Sequence, residues 1–154
     1  EHGLAAGEVV SALTGHSLGG ATAIAGAVEH LQESSAKADE MTFRALPLRQ
    51  LFTFGAPKAL DARLGKFIRE RFAAEGTVYR AVINDQDVVP SLGGPRFRPF
   101  DPAAQLRFDE NGEPFEGENP PRPRGTDTLQ ERIDDHNMAY YLGLTVKARD
   151  DVRR

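Results

Sequence analysis

The hexapeptide Gly15-His16-Ser17-Leu18-Gly19-Gly20 constrains this chain more than any other stretch. Before it runs Val9-Val10-Ser11-Ala12-Leu13-Thr14, a short, apolar, partly β-branched segment that reads as a buried strand. After it comes Ala21-Thr22-Ala23-Ile24-Ala25-Gly26-Ala27-Val28-Glu29-His30-Leu31, rich in small helix formers. A strand that passes through Gly-x-Ser-x-Gly into a helix is the sharp turn that presents a nucleophilic serine. Strand and helix nearly touch at such a turn, so Gly15 and Gly19 are expected where a side chain would collide. The turn lifts the Ser17 hydroxyl above the sheet, at a helix N-terminus whose dipole favours a developing negative charge. Such a serine could instead be a plain helix N-cap or part of a phosphate cradle. The phosphate motifs are missing, because no Lys-Ser/Thr follows the glycines and no Gly-x-Gly-x-x-Gly occurs. The flanking strand and helix select the nucleophile.

The helix after the turn places Leu18, Ala21, Ala25, Val28 and Leu31 or Gln32 at three- and four-residue steps, a narrow stripe suited to lying close on a sheet. Residues 33–48 read as a polar surface connection. Gln50 to Phe54 is a second strand, closed by Gly55-Ala56-Pro57. The spacing predicts a helix from about Lys58 to Glu75, with Leu60, Leu64, Phe67, Ile68 and Phe72 on one face and Gly65 as a weak point. Thr77 to Ile83 is a third strand, ending at Asn84-Asp85-Gln86-Asp87-Val88-Val89-Pro90. Alternating strands and helices imply right-handed parallel crossovers, with functional loops at the strands' carboxyl ends. Ser17 and the 84–90 loop are therefore expected to face one crevice.

From Gly93 to Thr128 the composition turns to Gly, Pro, Arg and acidic residues. Gln105–Phe108 and Glu113–Phe115 read as a small hairpin across Asp109-Glu110-Asn111-Gly112. Phe97-Arg98-Pro99-Phe100 reads as loop, and Pro120-Pro121-Arg122-Pro123-Arg124 as an exposed extended segment. A last helix is expected near Asp135-His136-Asn137, carrying Met138, Tyr141, Leu142 and Leu144.

At 154 residues the chain has the length of one domain. Its net charge of −4, with scattered arginines, argues against a nucleic-acid partner. The absence of cysteine excludes disulfides, thiolate metal sites and a thiol nucleophile. No apolar run reaches transmembrane length and no signal peptide is visible, which leaves localisation open. The chain begins with Glu1 and enters its first strand within ten residues, which reads as a truncated or processed start.

A serine nucleophile needs a base and an acid that orients the base. In strand-turn-helix serine hydrolases the chain order is Ser, then Asp or Glu, then His. Of His2, His16, His30 and His136, only His136 follows the third strand. His16 adjoins the nucleophile, where its ring cannot reach the hydroxyl as a base, and His30 is more than three turns away. His136 is the base by elimination. Asp85 and Asp87 both follow the third strand, and either could be serving a turn instead. The residues alone leave that choice open.

Four segments, taken in order, resemble the class 3 lipases, the fungal-lipase-like α/β-hydrolases. Thr14 to Ala21 is similar to that family's serine signature, and Thr53-Phe54-Gly55-Ala56-Pro57 to the strand and turn that follow it. Asn84 to Pro90 resembles the acid loop, and Asp135 to Tyr141 the segment that carries the histidine. The resemblance selects Asp87, the aspartate before the Val-x-Pro step, as the acid. It implies a partial α/β-hydrolase fold, with parallel strands, flanking helices and a small hairpin toward the C-terminal half. It further implies a triad of Ser17, Asp87 and His136 with the Leu18 backbone N–H as one oxyanion donor, and no metal or organic cofactor. The expected domain is residues 1–154, without the family's N-terminal strands, lid and second oxyanion loop. The strand at 9–14 would then form an apolar sheet edge that a missing N-terminal half or another chain could cover.

The expected activity is serine carboxylic-ester hydrolysis on lipids through an acyl-enzyme on Ser17, with triacylglycerol or another acylglycerol leading. Phospholipid and galactolipid acyl hydrolysis are close alternatives, and the partner is a lipid ester, in some settings at a lipid–water interface. The rival reading is a catalytically incomplete, lipase-like remnant acting as an interaction module. An unrelated fold member such as a thioesterase fits Gly55-Ala56-Pro57 and Asp87-Val88-Val89-Pro90 less well.

Overall fold

A computed structural model describes residues 11–34, 47–84, 87–99, 101–109, 114–115, 128–134, 136–139 and 141–142. His2, Val9, Val10, Asp85, the centre of the Asn-Gly turn, Pro120–Arg124, Asp135 and Leu144 lie outside them.

The elements run β1 (Ser11–His16), α1 (Leu18–Ser34), β2 (Leu48–Phe54), β3 (Leu60–Asp61), α2 (Ala62–Glu75), β4 (Val78–Asn84), β5 (Phe97–Arg98), β6 (Gln105–Phe108), β7 (Pro114–Phe115) and α3 (Leu129–Asp134). Five strands form one sheet in the order β1-β2-β4-β6-β7. The first three pairings are parallel, and β6–β7 is the antiparallel hairpin read from the sequence, with Phe108 opposite Pro114. Strand order rises steadily with chain order, so right-handed crossovers carry α1 and α2 to the same face of the sheet. The main core gathers there, with Ile24, Ala27 and Leu31 of α1, Leu48 and Leu51 of β2, Ile68 and Phe72 of α2, and Tyr79 of β4. Burying a side chain the size of Leu31 contributes about 1.5–3 kcal/mol.

The strands' two-residue alternation divides the rest. Val82 and Phe108 belong to a second cluster with Tyr141, against which Phe54 and Met138 pack. The C-terminal segment thus covers the face that α1 and α2 leave free. Near the start of β2 the register slips, with Ser11 opposite Leu48 and Ala12 opposite Gln50. The extra residue, Arg49, reverses the side-chain parity, so Leu48 and Leu51 bury in the same cluster.

Several sequence expectations need correction. β1 is the sheet edge expected, but it is not a buried strand: Ala12 and Thr14 are exposed, because among the described residues β1 pairs only with β2. The buried face of α1 is Gly20, Ala23, Ile24, Ala27, Val28 and Leu31, while Leu18 and Ala25 face solvent. The phase is set by Ile24 and by the close approach at Gly20, not by Leu18. α2 begins four residues later than the spacing suggests. Asp61 caps it by accepting the Leu64 N–H at 2.8 Å, and Gly76 ends it at φ +69°. Gly65 does not break α2 but is buried within it, and Phe67 is partly exposed. Phe97–Arg98 is a short strand antiparallel to Leu60–Asp61, not loop. No helix among the described residues is long and apolar enough to cross a membrane.

Candidate active site

The site lies along the carboxyl ends of β1, β2 and β4. Ser17 follows β1 with φ +57°, the sole non-glycine residue in the left-handed region among those described. That conformation costs an L-residue roughly 1–2 kcal/mol. It is held by the Ser17 N–H donating to the Phe54 carbonyl at 2.9 Å, which carries the β1–β2 ladder into the turn. The Ser17 carbonyl in turn accepts from the Gly20 and Ala21 N–H groups and starts α1. Leu18 is the first residue of α1, a position whose backbone N–H has no partner within the helix.

The glycines divide the steric work differently from the sequence expectation. A Cβ on Gly15 would stand 2.2 Å from the Gly19 carbonyl oxygen, which excludes any side chain. One on Gly19 would meet nothing within 4 Å. Gly20 is the second tight position, with a Cβ only 2.6 Å from that of Ala56. The second contact that needs a glycine is therefore between α1 and the turn after β2.

Asp87 comes from the turn after β4, and its carboxylate is fully buried. Its two oxygens divide the possible roles. Oδ1 accepts the Val89 N–H at 2.8 Å, the local turn bond that aspartate commonly makes. Oδ2 accepts from His136 Nδ1 at 2.8 Å and from the Tyr141 hydroxyl. The turn chemistry and the long-range contact are both real and use different lone pairs.

His136 sits in a turn between α3 and a helical stretch that includes Met138, Ala139, Tyr141 and Leu142. Its N–H donates to the Ile133 carbonyl, and Asn137 Oδ1 accepts the Ala139 N–H at 2.9 Å as a helix cap. A carboxylate can only accept, so His136 donates from Nδ1, and in the neutral imidazole Nε2 then keeps its lone pair. Nε2 is buried and has no hydrogen-bond partner among the described residues, so the Ser17–His136 bond is not closed here. Such bonds often tighten only when substrate is bound. The fold therefore joins Asp87 to His136 directly and brings Ser17 to the same sheet edge.

Three further residues shape this cluster, and sequence reasoning gave none of them a role here. Tyr141 is wholly buried; its hydroxyl donates to Asp87 Oδ2 and accepts the Asn84 N–H at 3.2 Å. A buried tyrosine needs a partner for its hydroxyl, so its spacing from His136 on an apolar segment was the available signal. Gly55, at φ +55°, lies under the cluster. A Cβ there would stand 2.6 Å from Asp87 Oδ2, 2.8 Å from the Tyr141 hydroxyl and 2.9 Å from His136 Nδ1. His16 stacks on His136, with ring centroids 4.6 Å apart. His30, by contrast, lies far along α1 and takes no part.

The family model for lipase (class 3) matches residues 5–97. The chain belongs to the class 3 lipase family. The matched stretch contains Ser17 and Asp87 and ends before His136. The chain is also similar to a lipase from Rhizomucor miehei, 33% identical over 81 residues that make up 53% of this chain and 19% of that one. The solved structure of the Rhizomucor miehei triacylglyceride lipase superposes with a TM-score of 0.52 at 22% identity, over 82% of this chain and 46% of that one. That likeness establishes a shared fold, a mostly parallel sheet with flanking helices, of which this class 3 lipase chain spans less than half.

Proposed function

We propose that this chain carries the hydrolytic centre of a lipase-type carboxylic ester hydrolase, with Ser17 as nucleophile, His136 as base and Asp87 as the acid that orients it. The observation that carries the reading is the bond from His136 to the buried Asp87 carboxylate, at the same sheet edge as a serine in the left-handed conformation. The buried carboxylate keeps the proton on Nδ1 and stabilises the imidazolium formed in each half-reaction. Nε2 takes the Ser17 proton as Oγ bonds to the ester carbonyl carbon, and the proton passes to the alcohol oxygen as that C–O bond breaks. Water then gives its proton to Nε2 and attacks the acyl carbon, and Oγ leaves as the protonated serine. The Leu18 N–H supplies one donor to the oxyanion, and a donor of this kind is worth about 100- to 1000-fold in rate.

The proposed substrate is an acylglycerol ester first, with phospholipid and galactolipid esters as alternatives that use the same chemistry. The Rhizomucor miehei protein that shares the fold is a triacylglyceride lipase, which favours the acylglycerol. A fluorophosphonate probe tests the reading. Phosphonylation of Ser17, located by mass spectrometry and abolished in Ser17→Ala, is the expected result. Failure of the chain and of any longer product of its gene to react would refute the enzyme and leave the interaction module.

A further inference from the structure

We infer that His16 is a positioning residue that sets the plane of the His136 imidazole, an inference resting on the assignment of His136 as the base. The Asp87 bond holds Nδ1 and the Cβ–Cγ bond ties the ring to its backbone, which together leave the ring's rotation about the line through Cβ and Nδ1 to be set. A second constraint is needed before Nε2 points at one place, and two contacts of His16 supply it. Its ring lies against that of His136 at 4.6 Å and an interplanar angle of 25°, which resists that rotation. Its Nε2 lies 2.9 Å from the His136 carbonyl oxygen. A carbonyl only accepts, so His16 Nε2 carries the proton and donates it.

The brace therefore holds the backbone and the ring of one residue from one side chain. Its own orientation is secured from below. His16 is the last residue of β1, in register with Phe54, and its ring stands edge-on to Tyr141 at 5.6 Å. Phe54 also meets Tyr141 edge-on, at 6.1 Å. The residue before the nucleophile and the residue that donates to Asp87 thus form one packed unit around the base. The backbone at His136 is a turn, which by itself does not hold a ring to the tolerance that proton transfer requires.

Three substitutions separate the two contacts. His16→Phe keeps a stacking ring without the N–H, His16→Gln keeps a donor without the ring, and His16→Ala removes both. Each is assayed with a short-chain p-nitrophenyl ester for kcat and KM. The His136 Nδ1–H resonance is followed by NMR without substrate, and thermal melting scores folding. Misplacing a catalytic group by about 1 Å can cost on the order of 100-fold, so His16→Ala is expected to lower kcat about 10- to 100-fold with KM unchanged. The Nδ1–H signal should broaden, and Phe and Gln should each restore part of both readouts. Parent-like kcat and an unchanged resonance in His16→Ala would overturn the inference. If His16→Ala does not fold, parent-like values in both the Phe and Gln variants would overturn it equally. If neither the parent chain nor a longer product of its gene hydrolyses the ester or reacts with the fluorophosphonate, the proposed function falls, while the NMR comparison still decides whether His16 orders His136.

Discussion

Gly55→Ala attacks the cluster at the point where three polar side chains converge. Two costs add. Alanine at φ +55° sits in the left-handed region, at about 1–2 kcal/mol. Its Cβ would also lie within 3 Å of Asp87 Oδ2, the Tyr141 hydroxyl and His136 Nδ1, none of which can yield without breaking a bond to another. Overpacking of that kind costs about 1–3 kcal/mol, for a total of about 2–5 kcal/mol. Gly76→Ala is the internal control. It carries the same backbone penalty at φ +69° and would meet nothing within 4 Å. The difference between the two variants isolates the clash, and at about 2–4 °C per kcal/mol it should separate their melting temperatures by several degrees. Function should separate further. Losing the tautomer control of the acid costs about 10⁴ in kcat where it has been removed cleanly, so the rate of Ser17 phosphonylation should fall about 100-fold or more in Gly55→Ala. It should not fall in Gly76→Ala. Equal melting of the two variants, with parent-like phosphonylation in both, would refute the geometry around Asp87.

Tyr141→Phe keeps the ring against His16 and Phe54 but withdraws the hydroxyl from Asp87 Oδ2 and from the Asn84 N–H. It should destabilise the fold by about 1–3 kcal/mol in denaturant titration and slow phosphonylation of Ser17. Gly20→Ala brings a Cβ to 2.6 Å from that of Ala56 and should cost about 1–3 kcal/mol. Gly19→Ala enters open space inside α1 and should range from neutral to about 1 kcal/mol stabilising, so equal losses at the two positions would contradict the packing described. Burial pushes the Tyr79 phenol up to about 12 from 10.0. Between those values the unfolded chain loses this proton while the folded one keeps it, so stability falls as pH rises through the window. At 1.36 kcal/mol per unit the loss approaches about 3 kcal/mol, and Tyr79→Phe should flatten that part of the stability–pH curve.

Much of the architecture was legible because it is local. Strand, sharp turn and small-residue helix share one contiguous stretch, and the alternation of apolar runs with helical spacing announced parallel crossovers and a sheet edge bearing the site. The hairpin at β6–β7 was readable for the same reason. What failed depended on neighbours in space. Composition alone made β1 read as buried, and its place at the sheet edge was expected only from the strands that the family resemblance put beside it. The α1 stripe was drawn through Leu18 because spacing alone does not set the phase, and contact with Ala56 and the sheet does.

The candidate site divides in the same way. Its chemical types and their chain order could be read without any coordinates, since Gly-x-Ser-x-Gly and a late histidine are short-range patterns, while the choice of Asp87 over Asp85 came from the family resemblance. It took the folded chain to show that Asp87 spends one oxygen on its own turn and the other on His136 and Tyr141. Folding also put Gly55 beneath them and laid His16 against the base. Residues 16, 55, 87, 136 and 141 come from four separate segments, and no spacing along a chain encodes distances that exist only after the sheet has aligned its carboxyl ends.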